Sequence, residues 1–315
     1  IFYGTRGSVP TAGADYLRYG GNTTCLRIES ECLPSNHWLV LDAGTGIVPL
    51  GRSAIEAQVQ DLTILFTHYH HDHTQGLLLS PITFSRKIGI HCIGPVECNK
   101  SPMDVLEDMM KPPYFSLSFA EVASHFSGTG IDHPSGVALI AHPEVGIRTI
   151  RVDDLERSES QNPSRVLIGD AYHRLKECLV IRMLYTNHPE RTISYRIEER
   201  PTGRVHVFLT DHENMDGTPD SLLRHLLAAD LLVMDSQYSR EIYDAQTAGY
   251  GHGTPDYCVR VAAKVGAKQL GLTHHDPFSS DEDVENIVAA AKSEAGKLDY
   301  EGRIFACADY MAVEV

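Results

Sequence analysis

"DLTILFTHYHHDH", residues 61 to 73, joins an apolar run to a tail of six residues holding four histidines and an aspartate. The apolar part predicts a short buried strand, and the polar cluster falls at its C-terminal end. A turn there can aim His68 and His70 into one site while Asp72 and His73 serve another a few ångströms away. Nitrogen and carboxylate donors without thiolates suit Zn²⁺ in an open, catalytic arrangement, and Mn²⁺, Fe²⁺ or Co²⁺ fit the same donors. His71, in the middle of the cluster, is left without a metal.

The same construction recurs along the chain. "HWLVLDAGTG" (37 to 46) reads as a buried strand running into a Gly-rich turn, and "RTISYRIEE" (191 to 199) alternates as a half-exposed strand does. "RVHVFLTDHE" (204 to 213), "DLLVMDSQY" (230 to 238) and "QLGLTHHDP" (269 to 277) are again strands ending in Asp or His. Between them lie helix signatures. Thr218 and Pro219 read as N-cap and first-turn proline of "TPDSLLRHLLAA", with Leu222, Leu223, Leu226 and Leu227 on one face. Thr254 and Pro255 repeat the device, and "SSDEDVENIVAAAKSEAG" (279 to 296) starts with caps and acids and closes at Gly296. Strands alternating with helices predict one layered α/β domain over residues 1 to 315. Residues 126 to 177, rich in Gly, Ser, Pro and charge with weak periodicity, read as an insertion that acts as a lid, a cap or a homodimer contact.

Composition narrows the partners. At 315 residues and 42% hydrophobic content the chain can bury a sizeable core, and no apolar run is long enough to span a membrane. The opening Ile1, already inside a strand-like run, reads as the start of a trimmed chain rather than of a signal peptide. Seven dispersed cysteines without a C-x-x-C pair fit reduced, buried thiols in a cytoplasmic protein. The formal charge of −15 disfavours long nucleic acid, which selects basic surfaces, but a small anion remains acceptable beside bound divalent cations.

His68, His70, Asp72 and His73 form an H-x-H-x-D-H motif that resembles the signature of the metallo-β-lactamase fold superfamily. Later motifs follow in that family's order. The resemblance implies a four-layer αββα fold, two mixed sheets between helices, with the 126 to 177 insertion between the second and third metal motifs. It implies two divalent metal ions, Zn²⁺ first. One would be held by His68, His70 and His188 of "YTNHPERTISYRIE", the other by Asp72, His73 and His274 of "GLTHHDP", with adjacent His275 as the competing choice. Asp211 of "FLTDHE" would bridge them and Asp42 of "LDAGTG" would brace the histidine loop. Redox members of the fold carry glutamate at the second histidine, so His70 favours hydrolysis.

"YGHGTPDY" resembles the motif of the phosphodiesterase branch, which includes transfer-RNA 3′-end-processing endonucleases and phosphoribosyl cyclic phosphodiesterases. His252 would there assist the leaving oxygen, oriented by Asp235, while Asp72 and Asp211 hold the hydroxide-bearing metals. "YGTRGSVP" and "YGGNTTC" also resemble this branch, which makes Arg6 and Asn22 candidates for substrate binding. Tyr114 and Phe115 of "KPPYFSLSF" are candidates for the pocket wall. The resemblance thus implies hydrolysis of a small cyclic or nucleotide-like phosphodiester by a metal-bridging hydroxide. The alternatives are an RNA-processing endoribonuclease, a thioester, lactone or β-lactam hydrolase, and a binding module with an inert metal site.

Overall fold

The apolar runs pair into two sheets packed face to face in a computed structural model that describes all 315 residues. The first sheet has six strands, in spatial order Phe2–Gly4, Cys25–Ile28, His37–Leu41, Asp61–Leu65, Gly89–Pro95 and Phe126–Ile131. The last four of these run parallel. The second has eight, in the order Arg303–Ala306, Gln269–Thr273, Leu231–Asp235, Arg204–Leu209, Ile193–Glu199, Leu179–Tyr185, Val137–His142 and Gly146–Arg151. Its first four strands are parallel and the remainder antiparallel.

Period-two alternation sorts the side chains between layers. Leu39, Leu41 and Leu65 meet Ile181, Tyr195, Phe208 and Val233 in the core between the sheets. Val40, Leu62 and Ile64 point outward against helix Ile47–Glu56 and helix Pro102–Met109. Val207, Leu232, Met234 and Leu272 do the same on the second sheet, under helices Asp220–Leu226, Pro255–Val265 and Asp281–Lys297. Strands covered on both faces need apolar residues at nearly every position, which is why they read as continuous runs. The result is the expected helix–sheet–sheet–helix sandwich.

Three expectations change in detail. Helix Asp220–Leu226 takes Pro219, not Thr218, as its N-cap. Helix Asp281–Lys297 opens with a capping box between Ser280 and Asp283 but runs through Gly296 instead of stopping there. Residues 126 to 151 are not an insertion, because Phe126–Ile131 forms the edge of the first sheet while Val137–His142 and Gly146–Arg151 form the edge of the second. Only the following helix, Val152–Glu159, and the hairpin Arg165–Ile168 with Ala171–Arg174 add a separate layer. Leu155, Val166, Ile168 and Leu175 pack that layer on Ala138, Ile140 and Val180, so it covers a sheet face and not the histidine cluster. The weak periodicity of this stretch reflects short edge strands, half solvated and interrupted by turns.

No helix is long and apolar enough to cross a membrane. All seven cysteines are free, and Cys98 alone is exposed.

Candidate metal centre

Parallel strands of both sheets end at one rim of the sandwich, and the polar strand ends gather there. Asp42 follows His37–Leu41, His68 to His73 follow Asp61–Leu65, Asp211 follows Arg204–Leu209, Asp235 ends Leu231–Asp235, and His274 follows Gln269–Thr273. The structure brings His68, His70, His188 and Asp211 together, and likewise Asp72, His73 and His274, with the donor atoms of each group within 4.8 Å of one another. Asp211 lies between the groups: Oδ1 is 3.8 Å from His68 Nε2 and 3.4 Å from His274 Nε2, and Oδ2 is 3.2 Å from His73 Nε2.

A buried relay holds the histidine loop. Asp42 accepts from the Thr67 amide at 2.7 Å, from Thr67 Oγ1 at 2.9 Å and from His73 Nδ1 at 2.8 Å. The Thr67 hydroxyl, having donated to Asp42, accepts from His68 Nδ1 at 3.2 Å. Both rings are therefore held through Nδ1 and turn Nε2 to the centre. His188 is fixed in the same sense, Nδ1 donating to Gly251 O at 3.1 Å. Gly251 has φ +92°, and a Cβ there would overlap the His188 ring. His274 Nδ1 contacts Gln237 Oε1 at 3.0 Å, leaving Nε2 3.1 Å from Asp72 Oδ2. His275 faces away, its Nε2 on Cys307 O at 2.8 Å, so His274 is the histidine that reaches the cluster.

These donors suit divalent cations. His68 Nε2 and His188 Nε2 are buried and have no hydrogen-bond partner, a costly state unless a cation takes the lone pair. The cluster is also short of positive charge. Burial works against protonating His274, yet Asp211, Asp235 and Asp72 outweigh it and push its pKa up to about 9. His73 is likewise raised by Asp211, Asp72 and Asp42 against its burial. Cations would supply the charge that protons otherwise provide. Three imidazoles with carboxylates and no thiolate match Zn²⁺, with Mn²⁺ or Fe²⁺ also accommodated by such donors.

Beside the cluster stands His252, its Nδ1 2.8 Å from Asp235 Oδ2 and 3.9 Å from Asp211 Oδ1. Its ring stacks on His274 with centroids 5.0 Å apart. Asp235 also accepts from the Gln237 amide, which fixes the carboxylate in turn.

Two candidates for substrate binding belong to the N-terminal loops. Arg6 does not face the site: it is fully buried, with Nε on Gly20 O and Nη1 on Asp276 O and Ser279 O, a tether between loops. The Asn22 backbone supports the same loop, its N–H donating to Asp309 and its carbonyl accepting from the Thr5 and Arg6 amides, while its side-chain Oδ1 accepts from Thr45 Oγ1 at 3.4 Å. The loop's real contribution is through Gly7 and Ser8. Ser8 N donates to Asp72 Oδ2 at 2.7 Å, and a Cβ on Gly7 would collide with the His274 ring. Tyr114 is exposed and Phe115 packs on the outer core of the first sheet, where helix Pro102–Met109 also sits. Missed from the sequence were Thr67, Gln237 and Glu190, whose carboxylate lies 3.2 Å from His70 Nε2 and 3.5 Å from His188 Nε2. Only the last had a usable signal, as an acid two positions from a candidate ligand.

Comparison with known proteins agrees with this architecture. A family model described as "Beta-lactamase superfamily domain" matches residues 127–275. A curated relative, "Ribonuclease Z" of Pseudomonas putida (strain GB-1), is 24% identical over 291 residues, covering 87% of this chain and 83% of its own. Among solved structures, the metallo-beta-lactamase fold protein YhfI from Bacillus subtilis superposes with a TM-score of 0.61 at 17% identity, covering 99% of this chain and 98% of that one. A diphosphatase from the PhnP family gives 0.58 at 14% identity, covering 100% and 96%. The chain is a metallo-β-lactamase fold protein. The proteins it is similar to include a ribonuclease Z and a diphosphatase.

Proposed function

We propose that this chain is a metal-dependent hydrolase that cleaves a phosphodiester bond in a small cyclic or nucleotide-like substrate. The observation that carries this reading is the Asp235–His252 pair at the edge of the histidine cluster. Asp235 commits Nδ1 of His252, so Nε2 is the atom left to hand a proton to a leaving oxygen. In this reading His68, His70 and His188 would hold one cation and Asp72, His73 and His274 the other, with Asp211 between the two sets. Such cations, when bound, supply Lewis-acid activation of water and neutralise charge on a phosphoryl oxygen. Asp42, Thr67, Gly251 and Gln237 keep the imidazoles in the tautomer that receives them.

The formal charge of −15 supports a small substrate over a long polyanion. A second reading, an RNA-processing endoribonuclease, is favoured by the ribonuclease Z likeness across 87% of the chain. A thioester, lactone or β-lactam hydrolase would leave His252 dispensable. Seven free cysteines support a cytoplasmic location.

The test is turnover of bis(p-nitrophenyl) phosphate, 2′,3′-cyclic nucleotides and a precursor transfer RNA by zinc-loaded protein and by His252→Ala. The expected outcome is activity on the small diesters, lost on chelation and lowered about 10²- to 10⁴-fold in the variant with zinc content unchanged. Full activity in His252→Ala would sink the role of that residue, and cleavage of the RNA alone would move the assignment to the second reading.

A further inference from the structure

We propose that Glu190 is a ligand of the cation held by His68, His70 and His188, an assignment that rests on the metal centre described above. Glu190 Oε2 lies 3.2 Å from His70 Nε2 and 3.5 Å from His188 Nε2. Gly251 O can only accept, so the His188 ring proton sits on Nδ1 and Nε2 turns a lone pair toward the carboxylate. A lone pair facing an anion at that distance is repulsive unless positive charge lies between them.

No lysine or arginine competes for Glu190. Adjacent Arg191 is turned away, its guanidinium on Val96 O at 3.2 Å and 3.9 Å from Asp132. His188 Nε2 is buried without a hydrogen-bond donor, and Glu190 is half exposed at the mouth of the same site. Glu190 Oε2 thus lies against two of the imidazole nitrogens of the group that His68 and Asp211 complete.

The consequence is asymmetry between the two metal positions. Three imidazoles, Asp211 and Glu190 would offer the first position five protein donors, a set that accommodates Mn²⁺ as well as Zn²⁺. The second, on Asp72, His73, His274 and Asp211, keeps fewer protein donors and lies beside His252.

The experiment uses the full chain stripped by chelation and titrated with ZnCl₂ against a chromophoric chelator. Wild type, Glu190→Gln and Glu190→Ala are compared with Glu241→Gln, which removes an exposed carboxylate elsewhere. Wild type and Glu241→Gln are expected to take two equivalents with the same affinities. Both Glu190 variants are expected to bind one equivalent at least about tenfold more weakly and the other unchanged. Unchanged or tighter zinc binding in the Glu190 variants overturns the proposal, because the carboxylate would then be only an ion-pair partner of protonated histidines. Wild-type protein that takes up no zinc overturns the metal centre itself, a result distinct from a failure of Glu190 alone.

Discussion

His274 reaches the cluster because its backbone turns at φ +60°, in the left-handed region that residues other than glycine enter at a cost of about 1–3 kcal/mol. Asp42 and Asp211 do the same at +58° and +49°. Each follows a buried parallel strand and is swung back over the rim by this turn. Sequence spacing could identify the loop His68 to His73, because its donors are local. It left His274 and His275 open, since only the turn decides which ring faces inward. Gln237 was invisible for a related reason: a polar residue past a strand end is usually a cap, and its contact with His274 spans 37 positions. Gln237→Leu keeps the volume but removes the acceptor on His274 Nδ1. The expected result is a loss of about 10- to 100-fold in affinity for the cation on Asp72, His73 and His274, with the other cation unaffected. A zinc titration of the stripped variant checks this, and two unweakened equivalents would refute the positioning role.

The N-terminal loop shows what an element can conceal. "YGTRGSVP" carries an arginine next to glycines, a composition that suits an anion site as well as a tether between loops. The deciding fact is burial. Arg6 gives Nε and Nη1 to the carbonyls of Gly20, Asp276 and Ser279, with Nη2 left unpartnered, and so ties the opening loop to the segment between His274 and helix Asp281–Lys297. Ser8 and Gly7, at the far side of that tether, then meet Asp72 and His274. Arg6→Met leaves three carbonyls without their charged donor and is expected to cost about 3 kcal/mol or more of folding stability. Urea denaturation measures that loss, and steady-state kinetics on the folded fraction should show a KM close to wild type. A raised KM at unchanged stability would restore Arg6 to the substrate. Helix and strand identities were more legible than this loop, because periodicity reports burial over many residues whereas a tether depends on three distant carbonyls. Edge strands such as Phe126–Ile131 escaped for the converse reason, being too short and too solvated to show a period.

Across the whole molecule the two sheets build one rim rich in buried charge, and buried histidines at a distance from it contribute to the response to acid. His206, on a strand of the second sheet, is buried with Nε2 unpartnered, and burial holds its pKa near about 3. His225 is buried on Ser194 and, again through burial with help from Arg196, is lowered to about 3. Unfolded, each returns to about 6.5. At these two groups the unfolded chain therefore binds more protons between these values, so the stability they contribute is complete above pH 6.5 and falls as the pH drops toward 3. Asp309 opposes this: burial raises it to about 6 against the Asn22 and Gly21 amides, so the folded chain holds the extra proton between about 4 and 6. Asp309 thus offsets about one of these two histidines, and the three groups taken together leave a net loss in acid. His206→Leu removes one proton uptake together with an unsatisfied buried nitrogen. It is expected to be as stable as wild type or more so at pH 7, and to lose about 2 kcal/mol less between pH 7 and pH 5. Urea denaturation of both proteins in chelator, so that metal release does not contribute, measures the difference; identical pH dependences would mean that His206 already titrates normally in the folded chain.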